Sequence, residues 1–516
     1  MDVKGIVGLN QLPDVPERLQ WQKAARRGNR RLPARANTWT VPAGIGLLAF
    51  CVAFIGSWIP SFWDDEIATI SAAGRSPAEL IVLLQSVDAV HGLYYFLMHA
   101  WTSVFGFSEV AMRAPSALAV GLACAGTVVL GRRLGSDALG VASGLVLAVL
   151  PRMVWAGTDA RQSAFTALLA VALTYLLVRA WKSNRVIDWV LYGLCAVLGV
   201  WMFMFFVLAV VSHAVAAILL RRRQLATMAA CAAAGAAALP FLLLTMGQKA
   251  QVDWIENRSL AQTISTAAVK QYFYGEDRPT GNLPPNWILA FVALLGVVET
   301  ALIVWGLWAS RRTPARRPLL VLCLAGVAVP IAGLILVSIV AQPVYVARYL
   351  TFTAPAFALL VGLVIVSIPT RLPWLRYIAM IAVIAVSLVP QLTIKSLVND
   401  PPDTERKIGH LVASEAPAPA AMVFEYPYLR DMTLAYPDDF VGVQDLSLAD
   451  SPAASGTLWG ENVAVGPDRL SGKGNVWFVG DGSADPDDLS AFASAGCTET
   501  GTMPYQRLKL VTFNCP

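Results

Sequence analysis

Apolar runs near 20 residues recur from Thr40 to about residue 394, each broken by a short polar stretch. Runs of that length suit helices that cross roughly 30 Å of hydrocarbon. Between them stand basic clusters: Arg132-Arg133, Arg179 to Arg185, Arg221-Arg222-Arg223, Arg311 to Arg317 and Arg371 to Arg376. If each cluster is cytoplasmic, an even number of spans separates it from the next. The runs 40–60, 109–131, 137–157, 161–180, 225–246, 286–308, 319–340, 346–368 and 374–394 then serve as spans. Residues 185–221 hold two short spans with a tight turn near Trp201 to Phe206. The fold class expected is a polytopic α-helical membrane protein with about 11 transmembrane helices.

The same parity decides residues 61–108. If Arg132-Arg133 is cytoplasmic, all of 61–108 lies on the outer face. Pro77–Ser86 and Gly92–Phe105 then read as amphipathic helices on the membrane surface, as their apolar and aromatic spacing allows. The rival, a span through Leu93–Phe105, is short for the hydrocarbon thickness. Residues 1–39 are polar and basic, with no short apolar core before a small-residue cleavage site, and read as a cytoplasmic arm. The spans and their loops make a membrane domain over 40–396. From residue 397 the pattern changes to prolines, acidic residues and strand-like runs at Ala421–Phe424, Val476–Val479 and Leu508–Phe513. An odd number of spans puts this 397–516 tail outside, as a small soluble α/β domain.

Composition sharpens the class. The chain has 516 residues, 56% hydrophobic and 14% charged, with mean hydropathy +0.59. Soluble domains carry roughly 25% charged residues. The net charge of +5 sits in short clusters between spans, so it signals topology and not nucleic acid. Of seven cysteines, five lie in apolar runs. Cys497 and Cys515 lie in the tail and are expected to form a disulfide, as an oxidising compartment allows; a reducing one would leave two thiols. Metal-binding Cys or His spacings are absent from the sequence.

The outer-face polar residues are the candidate chemistry. Asp64, Asp65 and Glu66 follow the first span and open the first outer loop, and three adjacent carboxylates repel unless a cation intervenes. Asp88 and His91 come later in that loop. Asp159 and Arg161 mark the next outer turn, Lys270 lies in the loop 247–285, and Tyr345 and Arg348 stand where a later span begins. Carboxylates beside Arg and Lys at a lipid interface suit a lipid-phosphate donor and an incoming hydroxyl. The carboxylate takes the acceptor's proton, and the cations stabilise the phosphate leaving group. Each residue also has a plainer reading. Arg348 could snorkel, Asp159 and Arg161 could pair with each other, and His91 could be a hydrogen-bonded interfacial residue.

The ordered pattern Trp63-x-Asp65-Glu66-x-x-Thr69, Leu93-Tyr94-Tyr95, Phe105-Gly106-x-Ser108, Arg113-x-Pro115-Ser116 and Gly131-Arg132-Arg133-Leu134-Gly135 resembles the GT-C glycosyltransferase superfamily. Within it, the likeness is to the branch of protein O-mannosyltransferases and the lipid A aminoarabinose transferase. Asp159-x-Arg161 resembles that branch's acidic-x-Arg, and Arg348-Tyr349 its late Arg-Tyr. The likeness covers about residues 40–370. It implies inverting transfer of a sugar from a polyprenyl-phosphate carrier on the outer face, with the first-loop base at Asp65 and Glu66 beside it. Arg348, Arg161, Lys270 and Tyr345 are the expected donor-phosphate contacts. Asp64, Asp88, His91 and Asp159 are expected to support the acceptor or the loop. The family often has His-Pro-Pro or Lys-Pro-Pro-Leu where this chain has Asp88-Ala-Val-His91-Gly, so the resemblance does not extend to the acceptor or the local phosphate contact.

The function expected is therefore a plasma-membrane glycosyltransferase acting on a glycan, lipid or protein acceptor of the envelope, with mannose first and a pentose second. The carboxylates leave room for a divalent metal, which no motif demands. The alternatives are a transporter or flippase of a lipid-linked sugar and an envelope scaffold. A transporter favours half-chain repeats and charges at span midpoints, and the sequence displays neither.

Overall fold

A computed structural model describes residues 39–273, 316–368, 373–395, 405–415, 418–482, 486–505 and 508–516, with isolated positions 290, 297, 304 and 371. The basic arm, the expected span at 286–308 and most of the Arg311 to Arg317 cluster lie outside the described residues. Val41–Pro516 forms one unit.

Among the described residues, apolar helices dominate the unit up to residue 395. Among the described residues five are long and apolar enough to cross a membrane: Glu109–Leu134, Ser163–Ser183, Gln224–Gly247, Arg317–Val340 and Ala347–Ser367. A sixth arises if Asp137–Val149 and Pro151–Gly157, bent by 62° at Leu150, count as one. Pro151 explains the bend, because it has no N–H to continue the preceding helix. Shorter apolar helices include Thr40–Phe54, Val186–Met202 and Pro373–Leu388. A 3₁₀ turn, Met204–Phe206, joins Val186–Met202 to Val207–Leu220.

Small residues set how closely these helices approach. A Cβ added to Gly46 would lie 2.9 Å from the carbonyl oxygen of Gly121, and one added to Gly121 would lie 2.8 Å from that of Gly46. The helices carrying them therefore touch backbone to backbone, which suits association driven by packing in an apolar solvent.

The stretch after the first helix folds into three helices, Asp64–Ala73, Pro77–Ser86 and Gly92–Phe105. The second is closed by a capping box in which Ser76 and Glu79 serve each other's backbone N–H. One expectation changes here. Asp64, Asp65 and Glu66 do not open a loop; they form the first turn of a helix, where the exposed N–H groups favour negative charge.

The tail contains a five-stranded sheet in the order β2-β1-β5-β7-β6. Its strands are β1 Ala421–Phe424, β2 Gln444–Asp445, β5 Gly474–Asp481, β6 Thr498–Tyr505 and β7 Leu508–Cys515, with a separate hairpin of β3 Leu448–Asp450 and β4 Glu461–Asn462. β1 runs parallel to β2 and β5, while β7 is antiparallel to β5 and β6. Side-chain alternation covers both faces. Met422, Phe424, Trp477 and Val479 pack with Ile408 and Val412, and Val423, Val476, Phe478 and Val511 pack with Phe492. Cys497 and Cys515 form a disulfide.

The tail is fastened to the helix Asp64–Ala73 and to the start of the helix Glu109–Leu134. Arg406 reaches Glu109 at 2.7 Å, Tyr436 donates to the same carboxylate at 3.0 Å, and Ser71 donates to the Leu458 carbonyl at 2.6 Å. These contacts bring the tip of the β3–β4 hairpin against the helix that begins at Asp64.

Candidate active site

The helix Asp64–Ala73 sends its first-turn carboxylates in different directions, because successive helical residues are rotated by about 100°. Glu66 turns inward. It is fully buried and forms a forked ion pair with Arg113, which is buried too. Arg113 Nε donates to Glu66 Oε1 at 2.7 Å and Nη2 donates to Oε2. The remaining donors serve the carbonyls of Ser57 at 2.6 Å and of Pro60 and Ser61, both at 2.9 Å. Glu66 also accepts from the backbone N–H of Ala160 at 2.8 Å. Glu66 is therefore a brace between the end of the first helix, the helix Glu109–Leu134 and the Asp159 turn.

Asp65 points the other way, into a cavity of about 780 Å³. Its side chain is 31% exposed. Arg348 stands 3.3 Å from one carboxylate oxygen and Arg161 stands 3.6 Å from the other. Both separations lie beyond the usual N–H···O range. The two arginines are nine-tenths buried. Arg161 is oriented from behind: it donates to the Tyr95 hydroxyl at 3.0 Å and to Thr69 Oγ1 at 3.3 Å. Tyr95 in turn donates to Asp88 Oδ2 at 2.6 Å. Burial works against the Arg161 charge, but Tyr95, Asp65 and Asp88 outweigh it and raise its pKa. Burial pushes the Asp88 carboxyl up, against the pull of Arg161 and the Tyr95 hydrogen bond. Arg348 lies over the rings of Trp63, Trp254 and Tyr349, with centroid distances of 5.3, 5.4 and 5.7 Å.

The other expected residues fall as follows. Asp64, Asp88, His91 and Asp159 line the same cavity. Asp159 accepts from Trp63 Nε1 at 3.0 Å, which fixes the indole beneath Arg348. His91 stacks on Phe203 with an interplanar angle of 9°, and burial, then the charges of Arg161 and Arg348, hold it well below the usual histidine range. It is a neutral wall residue at pH 7.

Two expectations need correction. Glu66 does not face the cavity, for the reason given above. Tyr345 is buried behind the wall and donates to Gln271 Oε1 at 2.8 Å, while Gln271 donates to the Ala347 carbonyl at 3.1 Å. Tyr345 thus holds the segment before Arg348 and is not among the cavity-lining residues. Lys270 ends the helix Leu260–Lys270, and its side chain lies outside the described residues.

Several lining residues carry no signal in the sequence. Gln162, Trp254 and the hairpin-tip pair Leu458 and Trp459 come from three separate stretches. Tyr349, which lines the cavity, and Tyr95 and Thr69, which hold Arg161 from behind, stood inside motifs that could have drawn attention to them. Away from its polar end the cavity is walled by Phe203, Phe205, Leu208, Leu242, Met246 and Val337, which suits an apolar chain. A divalent ion does not fit Asp65, which already faces two guanidinium groups. Among the described residues, the group of three carboxylates whose oxygens lie within 4.8 Å of one another is that of Asp64, Glu405 and Asp431.

Residues 92–246 match the family model described as dolichyl-phosphate-mannose-protein mannosyltransferase. The fold is similar to that of ArnT from Cupriavidus metallidurans bound to undecaprenyl phosphate. That likeness has TM-score 0.57 and 14% identity over 92% of this chain and 98% of that one. The apo state of the same protein gives TM-score 0.58 and 13% identity over 93% and 98%. The archaeal oligosaccharyltransferase AglB from Archaeoglobus fulgidus, in complex with an inhibitory peptide and a dolichol-phosphate, gives TM-score 0.50 and 10% identity over 88% and 70%. No curated protein sequence matches significantly. The likeness to ArnT and AglB is one of fold, at low sequence identity.

Proposed function

We propose that this protein is an inverting glycosyltransferase of the membrane that moves a monosaccharide from a polyprenyl-phosphate donor to an envelope glycan, lipid or protein acceptor. The observation that carries this reading is Asp65 between Arg161 and Arg348 at the polar end of a largely apolar cavity. The solved ArnT structure holds undecaprenyl phosphate and the AglB structure holds a dolichol-phosphate. A lipid-phosphate donor for this chain fits both its fold and its cavity.

The mechanism follows from the looseness of the two ion pairs. An incoming phosphate offers Arg161 and Arg348 a partner of higher charge, and a guanidinium can grip it with two parallel N–H donors. As the arginines turn to the phosphate, Asp65 loses its cations and becomes the available base. It takes the proton of the acceptor hydroxyl while that oxygen attacks the anomeric carbon from the face opposite the phosphate. The C–O bond to phosphate breaks with its electron pair, and the arginines hold the charge that develops. Tyr95, with Asp88 behind it, keeps Arg161 aimed. Mannose is the sugar we assign first, and a pentose second.

We assign the arm 1–39 to the cytoplasm, eleven spans to 40–396 and the 397–516 tail to the outer side. A cysteine placed at Ser76 or Ser451 should then react with an impermeant thiol reagent from outside, and one at Ser183 should not. Outside labelling at Ser183 but not at Ser76 would invert the assignment. The activity itself is tested with purified protein in lipid nanodiscs given polyprenyl-phosphate mannose or polyprenyl-phosphate pentose. Release of polyprenyl phosphate that depends on acceptor is the expected result. Donor crossing a bilayer without turnover would replace the enzyme with a flippase.

A further inference from the structure

The tail sheet has a point at which its chain connections part. From β1 the chain turns to β2 at one edge of the sheet, and from β5 it passes through the helix Pro486–Ser494 to β6 at the other edge. β1 and β5 are adjacent and parallel. In open sheets, the crevice beyond the carboxyl ends of two such strands is where ligands bind.

That crevice carries two carboxylates and two aromatic rings. Glu425, the residue after β1, is tied across to β5: its N–H donates to the Val479 carbonyl at 3.0 Å, and its Oε2 accepts from the Asp481 N–H at 2.7 Å. Tyr426 and Tyr428 follow, their rings parallel within 5° at a centroid distance of 5.6 Å. They are 44% and 43% exposed. Tyr428 reaches over the crevice, its hydroxyl 3.4 Å from Asp481 Oδ2.

The chemistry of this surface selects its occupant. The core of a protein interface is depleted of Asp and Glu, and a lipid surface is a costly place for carboxylates. A sugar ring meets both features. Its C–H face packs on an aromatic ring, while its hydroxyls donate to carboxylates. We propose that Tyr426, Tyr428, Glu425 and Asp481 form a glycan-binding site on the tail, distinct from the cavity at Asp65, that holds the acceptor chain. The acceptor role rests on the glycosyltransferase reading; the binding of sugar does not. Burial and the carboxylates of Asp481 and Glu425 push the Tyr428 phenol up to about 12, so it stays a neutral donor.

The test uses the full-length protein in nanodiscs, with linear mannohexaose and linear arabinohexaose as probes and saturation-transfer-difference NMR with titration calorimetry as readouts. At least one hexasaccharide should bind, and Tyr426→Ala with Tyr428→Ala should weaken it at least tenfold. Tyr428→Phe keeps the ring and should weaken it less. Asp65→Asn should bind it as the parent does. Binding of neither probe by the parent, or parental binding by the double variant, overturns the site. If turnover fails while Tyr-dependent binding persists, the glycosyltransferase reading falls and this site stands. If turnover holds and binding is absent, only this site falls.

Discussion

Asp65 and Glu66 are neighbours in sequence and carry the same functional group, yet their surroundings differ in every respect that matters for chemistry. Glu66 is sealed from water, and all five N–H donors of Arg113 are spent on it and on three carbonyls. Asp65 is partly open, faces two arginines at distances too long for firm hydrogen bonds, and borders a cavity. A saturated ion pair has nothing left to give to a substrate. An under-coordinated one can exchange partners at small cost. The difference teaches that acidity in a motif does not identify the reacting group; incomplete coordination does.

The sharpest way to break the comparison is to remove the cation from the sealed pair. Arg113→Met leaves Glu66 buried without a cation and strips three carbonyls of their donor, so it should cost on the order of 3–5 kcal/mol. The check is the unfolding midpoint and monodisperse yield in a fixed detergent. A variant that folds like the parent would mean that Glu66 finds water, and the brace reading would fail. Next in size is the open side. Asp65→Asn is nearly isosteric and cannot accept the proton, so turnover should fall at least about 100-fold with the unfolding midpoint unchanged. Asp64→Asn should cost less, because Asp65 is the carboxylate that stands between Arg161 and Arg348; parental turnover in Asp65→Asn beside an inactive Asp64→Asn would shift the base by one residue. The smallest effect is at the aromatic cage. Arg348→Lys keeps the charge but loses the planar fork and the stacking on Trp63, Trp254 and Tyr349. We expect about a tenfold rise in KM for donor with kcat less affected. An unchanged KM would transfer the phosphate contact to Arg161.

Much of the helical frame could be read from apolar periodicity. The helices Pro77–Ser86 and Gly92–Phe105, Arg317–Val340 and the strand Ala421–Phe424 stand where that reading put them. These elements are decided locally, by spacing, caps and basic flanks. The site was only partly legible, because its geometry is set by elements far apart in the chain. Asp65, Arg161 and Arg348 each sat in a recognisable motif. The division of labour between Asp65 and Glu66 does not follow from the motif, since it depends on a helix that begins at Asp64, where the sequence pattern predicts a loop. Tyr345 misled because an aromatic residue before an arginine looks like a ligand contact, while here it holds Gln271. Leu458 and Trp459 reach the cavity only because the tail is fastened to Ser71 and Arg75, a tertiary arrangement that no local pattern encodes.

The central claim is that Asp65 acts on the acceptor and competes with the donor phosphate for the two arginines. Donor affinity of purified Asp65→Asn, measured by calorimetry with a polyprenyl-phosphate sugar, tests it most directly. Removing the carboxylate frees Arg161 and Arg348, so the variant should bind donor at least as tightly as the parent while failing to turn it over. A loss of donor binding in parallel with the loss of turnover would contradict the account, because Asp65 would then be part of the donor site and not the base.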